Sequence, residues 1–247
     1  MAEYILSIDQ GTTTTRAFVI DRQGNYIGTA SQKFEQITPE NGWVEHNPEV
    51  IWQTVHNVIK EVRRKAGIDY EQIKALGITN QRETAVVWNK KTGKPIHNAI
   101  VWSSNQSLDI INQLKSKRNE EYIHKNTGLV MSPYFSASKI RWILDHNEGA
   151  QTKAEEGKLL FGTIDSWIIW KLTKGKLHVS DHTNASRTML FNIHQLAWDE
   201  KLLELFNIPK AMLPKTYPSS HYYGETDAEL FGGVKIPITG VAGNQQA

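Results

Sequence analysis

The chain has no cysteine among its 247 residues. This absence excludes disulfides, thiolate metal sites and a cysteine nucleophile, and it fits a cytoplasmic protein. The sequence also lacks a basic leader and any uncharged apolar run near the roughly 18 residues that a membrane span requires. We therefore expect a soluble, cytoplasmic protein without a membrane span.

The chain also has no large excess of positive or negative charge. The 28 basic and 26 acidic residues are mixed along the chain and leave a formal net charge of +2. The one basic cluster, Lys115 to Arg118, lies in a polar stretch of helical character and is typical of a solvated face. We expect no nucleic-acid partner. The nine histidines show no metal-ligand spacing such as His-Glu-x-x-His, so no transition-metal site is predicted.

Hydrophobic periodicity predicts a mixed α/β fold, in which the first strands form an antiparallel meander and a long helix covers the sheet. Strands are predicted at 4–8, 15–20, 26–34, 75–79, 84–88, 99–102, 159–161 and 237–241. Helices are predicted at 48–65, 107–116, 136–146, 149–156, 164–172 and 199–206. The tryptophans at 142, 167 and 170 fall in apolar helical stretches and are assigned to the core.

The first predicted turn is rich in hydroxyl groups and reads Asp9-Gln-Gly-Thr-Thr-Thr-Thr-Arg16. Its glycine allows close backbone approach to an anion, and its hydroxyls and amides can donate to phosphate oxygens. An aspartate at the end of a strand can hold Mg²⁺ through water. The turn is neither a Walker A loop nor a dinucleotide-binding turn, and by itself a polar hairpin turn is the alternative.

A second polar cluster, Asn80-Gln-Arg-Glu-Thr84, lies between two apolar strands. Arg82 only donates hydrogen bonds and Glu83 accepts them, so together they can hold a vicinal diol. The alternative is a surface ion pair. Trp102 and Tyr134 could cover the carbon side of such a ligand and bond to a hydroxyl, although an aromatic in such a place is more often part of the core.

In combination, these motifs resemble the glycerol kinases of the FGGY carbohydrate-kinase family, collinearly from residue 4 to residue 247. The most specific segments are Ser7-Ile-Asp-Gln-Gly-Thr-Thr13, Asn41-Gly-Trp-Val-Glu-His46, Gly77-Ile-Thr-Asn-Gln-Arg-Glu-Thr84, Tyr134-Phe-Ser-Ala-Ser-Lys-Ile-Arg-Trp142, Phe161-Gly-Thr-Ile-Asp-Ser-Trp167 and Asn184-Ala-Ser-Arg-Thr-Met-Leu190.

The resemblance implies an actin-like ATPase, ribonuclease-H-like domain, with residues 1–247 as the N-terminal glycerol-binding lobe and a C-terminal nucleotide-binding lobe outside this chain. It implies phosphorylation of glycerol to sn-glycerol 3-phosphate, with ATP and Mg²⁺ as cofactors, glycerol and ATP/ADP as partners, and a homo-oligomer at full length. The phosphate contacts would be Thr12, Thr13, Thr14 and Arg16, with Asp9 near Mg²⁺. The glycerol contacts would be Arg82, Glu83, Trp102, Tyr134, Asn244 and Gln245.

Two positions depart from the family pattern. The segment Gly243-Asn-Gln-Gln-Ala247 carries Asn244 where the family has its aspartate base, and an amide is no base near neutral pH. After Trp102 the chain reads Ser103-Ser-Asn105, where the family usually shows a glutamine, a small residue and an arginine. We therefore expect the isolated chain to be inactive. A non-catalytic polyol-binding or regulatory module, a kinase for another sugar such as xylulose, and an actin-like filament or chaperone ATPase are the alternatives.

Overall fold

The computed structural model describes residues 2–247, which contain fourteen strands and eight α-helices. The strands are β1 Tyr4–Gln10, β2 Thr14–Ile20, β3 Tyr26–Lys33, β4 Glu45–His46, β5 Ile73–Asn80, β6 Val86–Asn89, β7 Ala99–Ile100, β8 Leu159–Gly162, β9 Val179–Asp181, β10 Phe191–Asn192, β11 Ala197–Trp198, β12 Lys215–Tyr217, β13 Ser220–Glu225 and β14 Pro237–Gly243. The helices are α1 Pro48–Ala66, α2 Leu108–Leu114, α3 Lys117–Thr127, α4 Ser136–Asp145, α5 Ala150–Glu155, α6 Ile164–Leu172, α7 His182–Ala185 and α8 Glu200–Leu205.

Six strands form a mixed sheet in the order β13-β14-β5-β1-β2-β3. The predicted meander is confirmed, because β1, β2 and β3 pair antiparallel. Strands β1, β5 and β14 run parallel and end level with one another, since Gln10 pairs with Asn80 and Asn80 with Gly243. The residues that follow these three strands therefore meet at one edge of the sheet, where open α/β sheets bind their ligands.

Helix α1 covers one face of the sheet and confirms the predicted long helix. Its start is fixed by Asn47, whose side chain accepts from the backbone of Glu49 and Val50, and by Pro48 in the first turn. It ends at Gly67, which has a φ of 64° and so occupies the left-handed region that favours glycine. Its buried apolar stripe consists of Ile51, Val55, Val58, Ile59 and Val62.

Two hydrophobic clusters fill the interior. One lies between the central sheet, α1 and α6, and includes Trp167 and Trp170. The other lies among α2, α4, α5 and α8, and includes Trp142. The assignment of these three tryptophans to the core is confirmed, since each is at most 8% exposed.

Hydrophobic periodicity in the sequence did not predict α3, and the predicted helix 107–116 and strand 99–102 are both longer than the observed elements. The predicted helix 107–116 ends at Leu114, and α3 begins after Ser116, whose hydroxyl accepts from the backbone of Asn119. Helix α3 was missed because it is charged over most of its surface and buries only Ile123 and Thr127. The strand predicted at 99–102 ends at Ile100, which leaves Trp102 in the following turn. Across residues 2–247, none of the helices combines the length and the apolar character that crossing a membrane requires.

Candidate functional site

The turn between β1 and β2 opens onto a groove of about 480 Å³. The backbone N–H of Gly11 donates to the carbonyl of Thr14 at 3.0 Å, which closes the turn. Residues Thr12 to Thr14, Asp9, Arg16 and Asn244 all line this groove. The predicted phosphate contacts and Asn244, more than 200 residues apart in the sequence, are thus brought together.

Asp9 and Arg16 face each other across β1 and β2, with 3.9 Å between the carboxylate Oδ2 and the guanidinium Nη1. Burial raises the pKa of Asp9, and the positive charge of Arg16 opposes that shift. Asp9 carries the one side-chain carboxylate among the described residues that line the groove. Within residues 2–247, no three histidine, aspartate or glutamate side chains are grouped as an all-protein metal site. A single carboxylate beside hydroxyl groups suits a cation that keeps its water shell.

Beneath the turn, a set of buried amides fixes the ends of the three parallel strands. Asn80 and Asn184 exchange reciprocal hydrogen bonds of 2.9 and 3.1 Å. Gln81 donates to Gln10 at 3.0 Å, and the side chains of all four residues are buried. Such a fully paired polar network is rigid and costly to disturb, because any amide left without a partner would be desolvated. The network is a stiff base for the groove.

Arg82 and Glu83 lie just beyond β5 and are 6% and 2% exposed. Glu83 has a φ of 61° and the N–H of Thr84 donates to the carbonyl of Arg82 at 2.7 Å, so the backbone forms a tight three-residue turn. Such a conformation is unfavourable for a residue with a side chain and is held by its surroundings. Ser136 provides one such contact, donating to the carbonyl of Glu83 at 2.9 Å.

The side chains of Arg82 and Glu83 point to different partners. Arg82 donates to the side-chain oxygens of Gln245 and Gln246, the latter at 3.3 Å. Glu83 instead accepts from Nε of Arg187 at 2.5 Å. The alternative of a surface ion pair between the two is wrong, since both are buried and each has its own partner. Arg187 is a polar contact that sequence reasoning missed.

Trp102 and Tyr134 form an aromatic wall next to these side chains, with ring centroids 5.4 Å apart. Neither ring is buried in the core: Trp102 is half-buried and Tyr134 is 36% exposed, so the core alternative is wrong for both. The indole Nε1 of Trp102 donates to Oγ1 of Thr12 at 2.9 Å, which joins the wall to the hydroxyl-rich turn. Burial, reinforced by the charge of Glu83, raises the pKa of Tyr134.

Lys139 anchors the loop that carries Tyr134. Its fully buried ammonium group donates to the carbonyls of Pro133, Tyr134 and Phe135, at 2.8 Å for Tyr134 and 3.4 Å for Phe135. Burial lowers the pKa of Lys139 to about 7, and the charge of Glu83 opposes the shift. The three carbonyls match the three N–H bonds of the charged form, so the side chain acts as a clamp for this loop.

The segment after β14 lies between the groove and Arg82. The N–H of Asn244 donates to the carbonyl of Asn80 at 3.0 Å, and the N–H of Gly243 donates to Oγ1 of Thr183 at 2.8 Å. The Asn244 side chain is exposed in the groove, and that of Gln245 contacts Arg82. Asn105 does not line the groove, because it packs against Gly42, whose carbonyl accepts from its N–H at 3.0 Å.

The functional groups of the site form two adjoining parts that suit different ligands. Hydroxyls, amides, one arginine and one carboxylate suit a polyphosphate with a hydrated cation. Next to them, a buried guanidinium, a buried carboxylate and two aromatic rings suit a small polyhydroxylated molecule. The hydrogen bond between Trp102 and Thr12 places these parts side by side.

Comparison with known proteins gives a consistent result. The model of the FGGY family of carbohydrate kinases, N-terminal domain, matches residues 4–247. The glycerol kinase of Salmonella arizonae is 56% identical over 245 residues, and that of Alkaliphilus metalliredigens is 55% identical over 247 residues. These alignments cover 99% and 100% of this chain and 49% of each relative, so the chain spans about half the length of the relatives it matches.

Solved structures agree on the fold. The glycerol kinase of Plasmodium falciparum, crystallised with ADP, superimposes with a TM-score of 0.93 at 37% identity, over 99% of this chain and 49% of that chain. A gluconate kinase from Lactobacillus acidophilus, at 24% identity and a TM-score of 0.85 over 98% of this chain and 48% of its own, shares the fold alone. The predicted actin-like α/β fold, a mixed sheet with flanking helices, is confirmed.

Proposed function

Since this chain belongs to the FGGY family of carbohydrate kinases, we propose that residues 1–247 are the N-terminal, substrate-binding lobe of an ATP-dependent glycerol kinase. The reaction is transfer of the γ-phosphate of ATP to a terminal hydroxyl of glycerol, which gives sn-glycerol 3-phosphate. The single observation that carries the proposal is the junction of a diol-binding cluster with a phosphate-binding turn, through the 2.9 Å hydrogen bond from Trp102 to Thr12. The full-length enzyme is proposed to be a cytoplasmic homo-oligomer with no nucleic-acid partner.

In this proposal the polyol binds between Arg82, Glu83, Trp102 and Tyr134, with Asn244 and Gln245 at its open side. Arg82 donates to one hydroxyl oxygen and Glu83 accepts from a hydroxyl, a division of roles that suits groups which both give and receive. The indole and phenol rings cover the carbon backbone and exclude water. Because both charged groups are buried and already oriented, little reorganisation is needed when the polyol binds.

The phosphates of ATP are proposed to contact Thr12, Thr13, Thr14 and Arg16. Asp9 fits Mg²⁺ held through water, because it is the only acidic side chain of residues 2–247 that lines the groove, is half-buried, and lies next to donors that would face phosphate oxygens. When bound, the ion would neutralise charge that develops during phosphoryl transfer. The remaining nucleotide contacts belong to a C-terminal lobe that we place outside this chain.

Asn244 is the position at which this chain departs from the family pattern of a catalytic residue. Its amide occupies the position where the family pattern places the base that takes the proton of the attacking hydroxyl, and an amide cannot accept that proton near pH 7. This observation favours a second candidate function, a polyol-binding or regulatory module that keeps the pocket without catalysis. Both candidates require that the pocket bind a polyol, and glycerol is the first to test.

Calorimetric titration with glycerol is expected to show saturable binding to this chain, and xylulose is expected to bind more weakly. Replacing Arg82 by alanine should weaken glycerol binding about 10- to 100-fold, because a charge-assisted hydrogen bond in a buried site is worth about 1.5 to 3 kcal/mol. The same titrations on a longer chain with both lobes will show whether the second lobe completes the pocket. If glycerol binds to neither the short nor the longer chain, the proposed substrate is wrong.

Gly243→Ala, on strand β14 next to β5, should weaken glycerol binding by displacing the Arg82 side chain. A Cβ at Gly243 would lie 2.3 Å from Cδ and 2.7 Å from Cγ of Arg82, so the guanidinium must leave its position. We expect about a 10-fold or greater loss of glycerol affinity, of the same origin as in the Arg82 variant.

Gly240→Ala on the same strand is the matched control, because its Cβ would meet only Cα of Gly77 at an ordinary 3.9 Å. Its glycerol affinity should equal that of the parent chain. Equal affinities for the two alanine variants would argue against a role for Arg82 in the pocket.

A further inference from the structure

Arg187 lies outside the residues assigned so far but contacts Glu83 and Tyr134 of the proposed pocket, together with the neighbouring ring of Phe135. Its Nε donates to Oε1 of Glu83 at 2.5 Å. Its guanidinium carbon lies 5.8 Å from the ring centroid of Tyr134 and 4.8 Å from that of Phe135. One planar group therefore touches both the carboxylate and the aromatic wall, at distances typical of cation–π contacts.

The backbone that carries Arg187 is held firmly in place. Asp181 caps α7 by accepting from the backbone of Thr183 and Asn184 at 2.9 Å. The N–H of Arg187 donates to the carbonyl of Asn184 at 3.1 Å. One residue further, the carbonyl of Thr188 accepts from the N–H at position 137 of α4 at 2.9 Å. The guanidinium is thus directed from a segment tied to the same amide network that supports the groove.

Glu83 depends on this contact. Its side chain is 3% exposed, so an unpaired carboxylate there would be poorly solvated, and the Nε of Arg187 satisfies only one of its two oxygens. The tight turn at Glu83, with a φ of 61°, presents the carboxylate in one direction. With Oε1 fixed by Arg187, Oε2 is left to accept a hydroxyl from a ligand.

We propose that Arg187 is a positioning residue of the polyol pocket, which orients the Glu83 carboxylate and braces Tyr134 so that a hydroxyl of the ligand finds a fixed acceptor. This inference rests on the proposed polyol function. It assigns Arg187 a role in binding through Glu83, without direct contact with the ligand.

The test is a double-mutant cycle on glycerol affinity, with the chain that binds glycerol in the titrations above. Arg187→Gln should weaken binding about 10- to 100-fold in the parent background. In the Glu83→Gln background the same change should cost less than about 3-fold, because the carboxylate that Arg187 orients is already replaced by a neutral amide. Arg187→Lys keeps the charge but loses the planar fork, and it should restore affinity only in part.

Arg141→Gln is the matched control. Arg141 is a buried arginine on α4, and its partners Gln151, Asn207 and Asp145, the last at 2.7 Å, lie outside the proposed pocket. This variant should lose stability to thermal unfolding and keep the parent affinity for glycerol.

The outcomes separate the two proposals. An equal loss of affinity from Arg187→Gln in both backgrounds, or no loss in the parent background, would overturn the positioning role while the polyol function stands. Absence of glycerol binding to both the short and the longer parent chain would overturn the polyol function and this role with it.

Discussion

Asn244→Asp is expected to raise the rate of phosphoryl transfer to glycerol about 10²- to 10⁴-fold in a chain that carries both lobes. A positioned general base lowers the barrier by about 3 to 5 kcal/mol, and an amide offers none of this at neutral pH. A suitable chain joins residues 1–247 to the C-terminal half of one of the glycerol kinase relatives. The measurement is kcat and KM for glycerol at saturating ATP and Mg²⁺, for the asparagine and aspartate forms.

The geometry around Asn244 supports a gain in rate without a new pocket. Its backbone is fixed by the 3.0 Å hydrogen bond to the carbonyl of Asn80, at the level edge of the parallel strands. Its side chain is exposed in the groove with Asp9 and the hydroxyl-rich turn. Aspartate is nearly isosteric with asparagine, so the gain should appear in kcat while KM changes much less.

Asn57→Asp supplies the control for added charge, since Asn57 is exposed on α1 and lies outside the groove. In the two-lobe chain that keeps Asn244, this variant should be as inactive as the chain without the substitution. If Asn244→Asp gives no more activity than Asn57→Asp, the chain is better described as a polyol-binding module, and the catalytic proposal fails.

The parts of the site that follow from local sequence were predicted well. The hydroxyl-rich turn was predicted as a hairpin between two short apolar strands, and β1 and β2 pair across it. Helix α1 was predicted from its apolar spacing and from Asn47 and Pro48 at its start. In each case the signal lies within about twenty neighbouring residues, where backbone preference and side-chain period act together.

The contacts that complete the site join residues too far apart for such a signal. Trp102 reaches Thr12 across 90 positions, and Asn80 pairs with Asn184 across 104 positions. Arg187 reaches Glu83 across another 104 positions, and nothing within the specific segment Asn184 to Leu190 singles it out. An isolated polar residue on a chain gives no hint of its partner, because the pairing depends on how the sheet and α7 are placed in the fold.

A drop in pH is expected to destabilise the fold through His46, by roughly 2 to 3 kcal/mol between pH 6.5 and pH 4. His46 is fully buried on β4, with Nδ1 3.4 Å from the amide nitrogen of Gln81 and with no hydrogen-bond partner at Nε2. Burial lowers the pKa of His46 from 6.5 to about 4. The folded state therefore binds fewer protons than the unfolded state in this interval, so stability is intact above pH 6.5 and falls as the pH approaches 4.

His46→Phe should remove that loss, because a phenyl ring cannot be protonated. The measurement is the free energy of unfolding by urea at pH 7 and at pH 4.5, in the parent and in the variant, and the difference between the two pH values should be smaller in the variant. Asp165 has the opposite effect on stability at low pH. Burial raises its pKa to about 6, so as the pH falls the folded state binds this proton before the unfolded state does and is stabilised by it. Its contribution is common to both proteins and cancels in the comparison.

The same protonation should affect the site before the fold. The Gln81 amide that faces His46 also donates to Gln10 and to the carbonyl of Gly11, the residue that closes the hydroxyl-rich turn. Protonation of His46 would place an N–H on Nδ1, facing the amide nitrogen of Gln81. Both groups would then be hydrogen-bond donors, and their repulsion would disturb the amide network under the turn. We therefore expect the imidazole signals of His46 in NMR to begin titrating only below about pH 5, together with the side-chain amide signals of Gln10 and Gln81. An imidazole that titrates near pH 6.5 would show that His46 is not held neutral by the fold, and the predicted acid sensitivity of the turn would be lost with it.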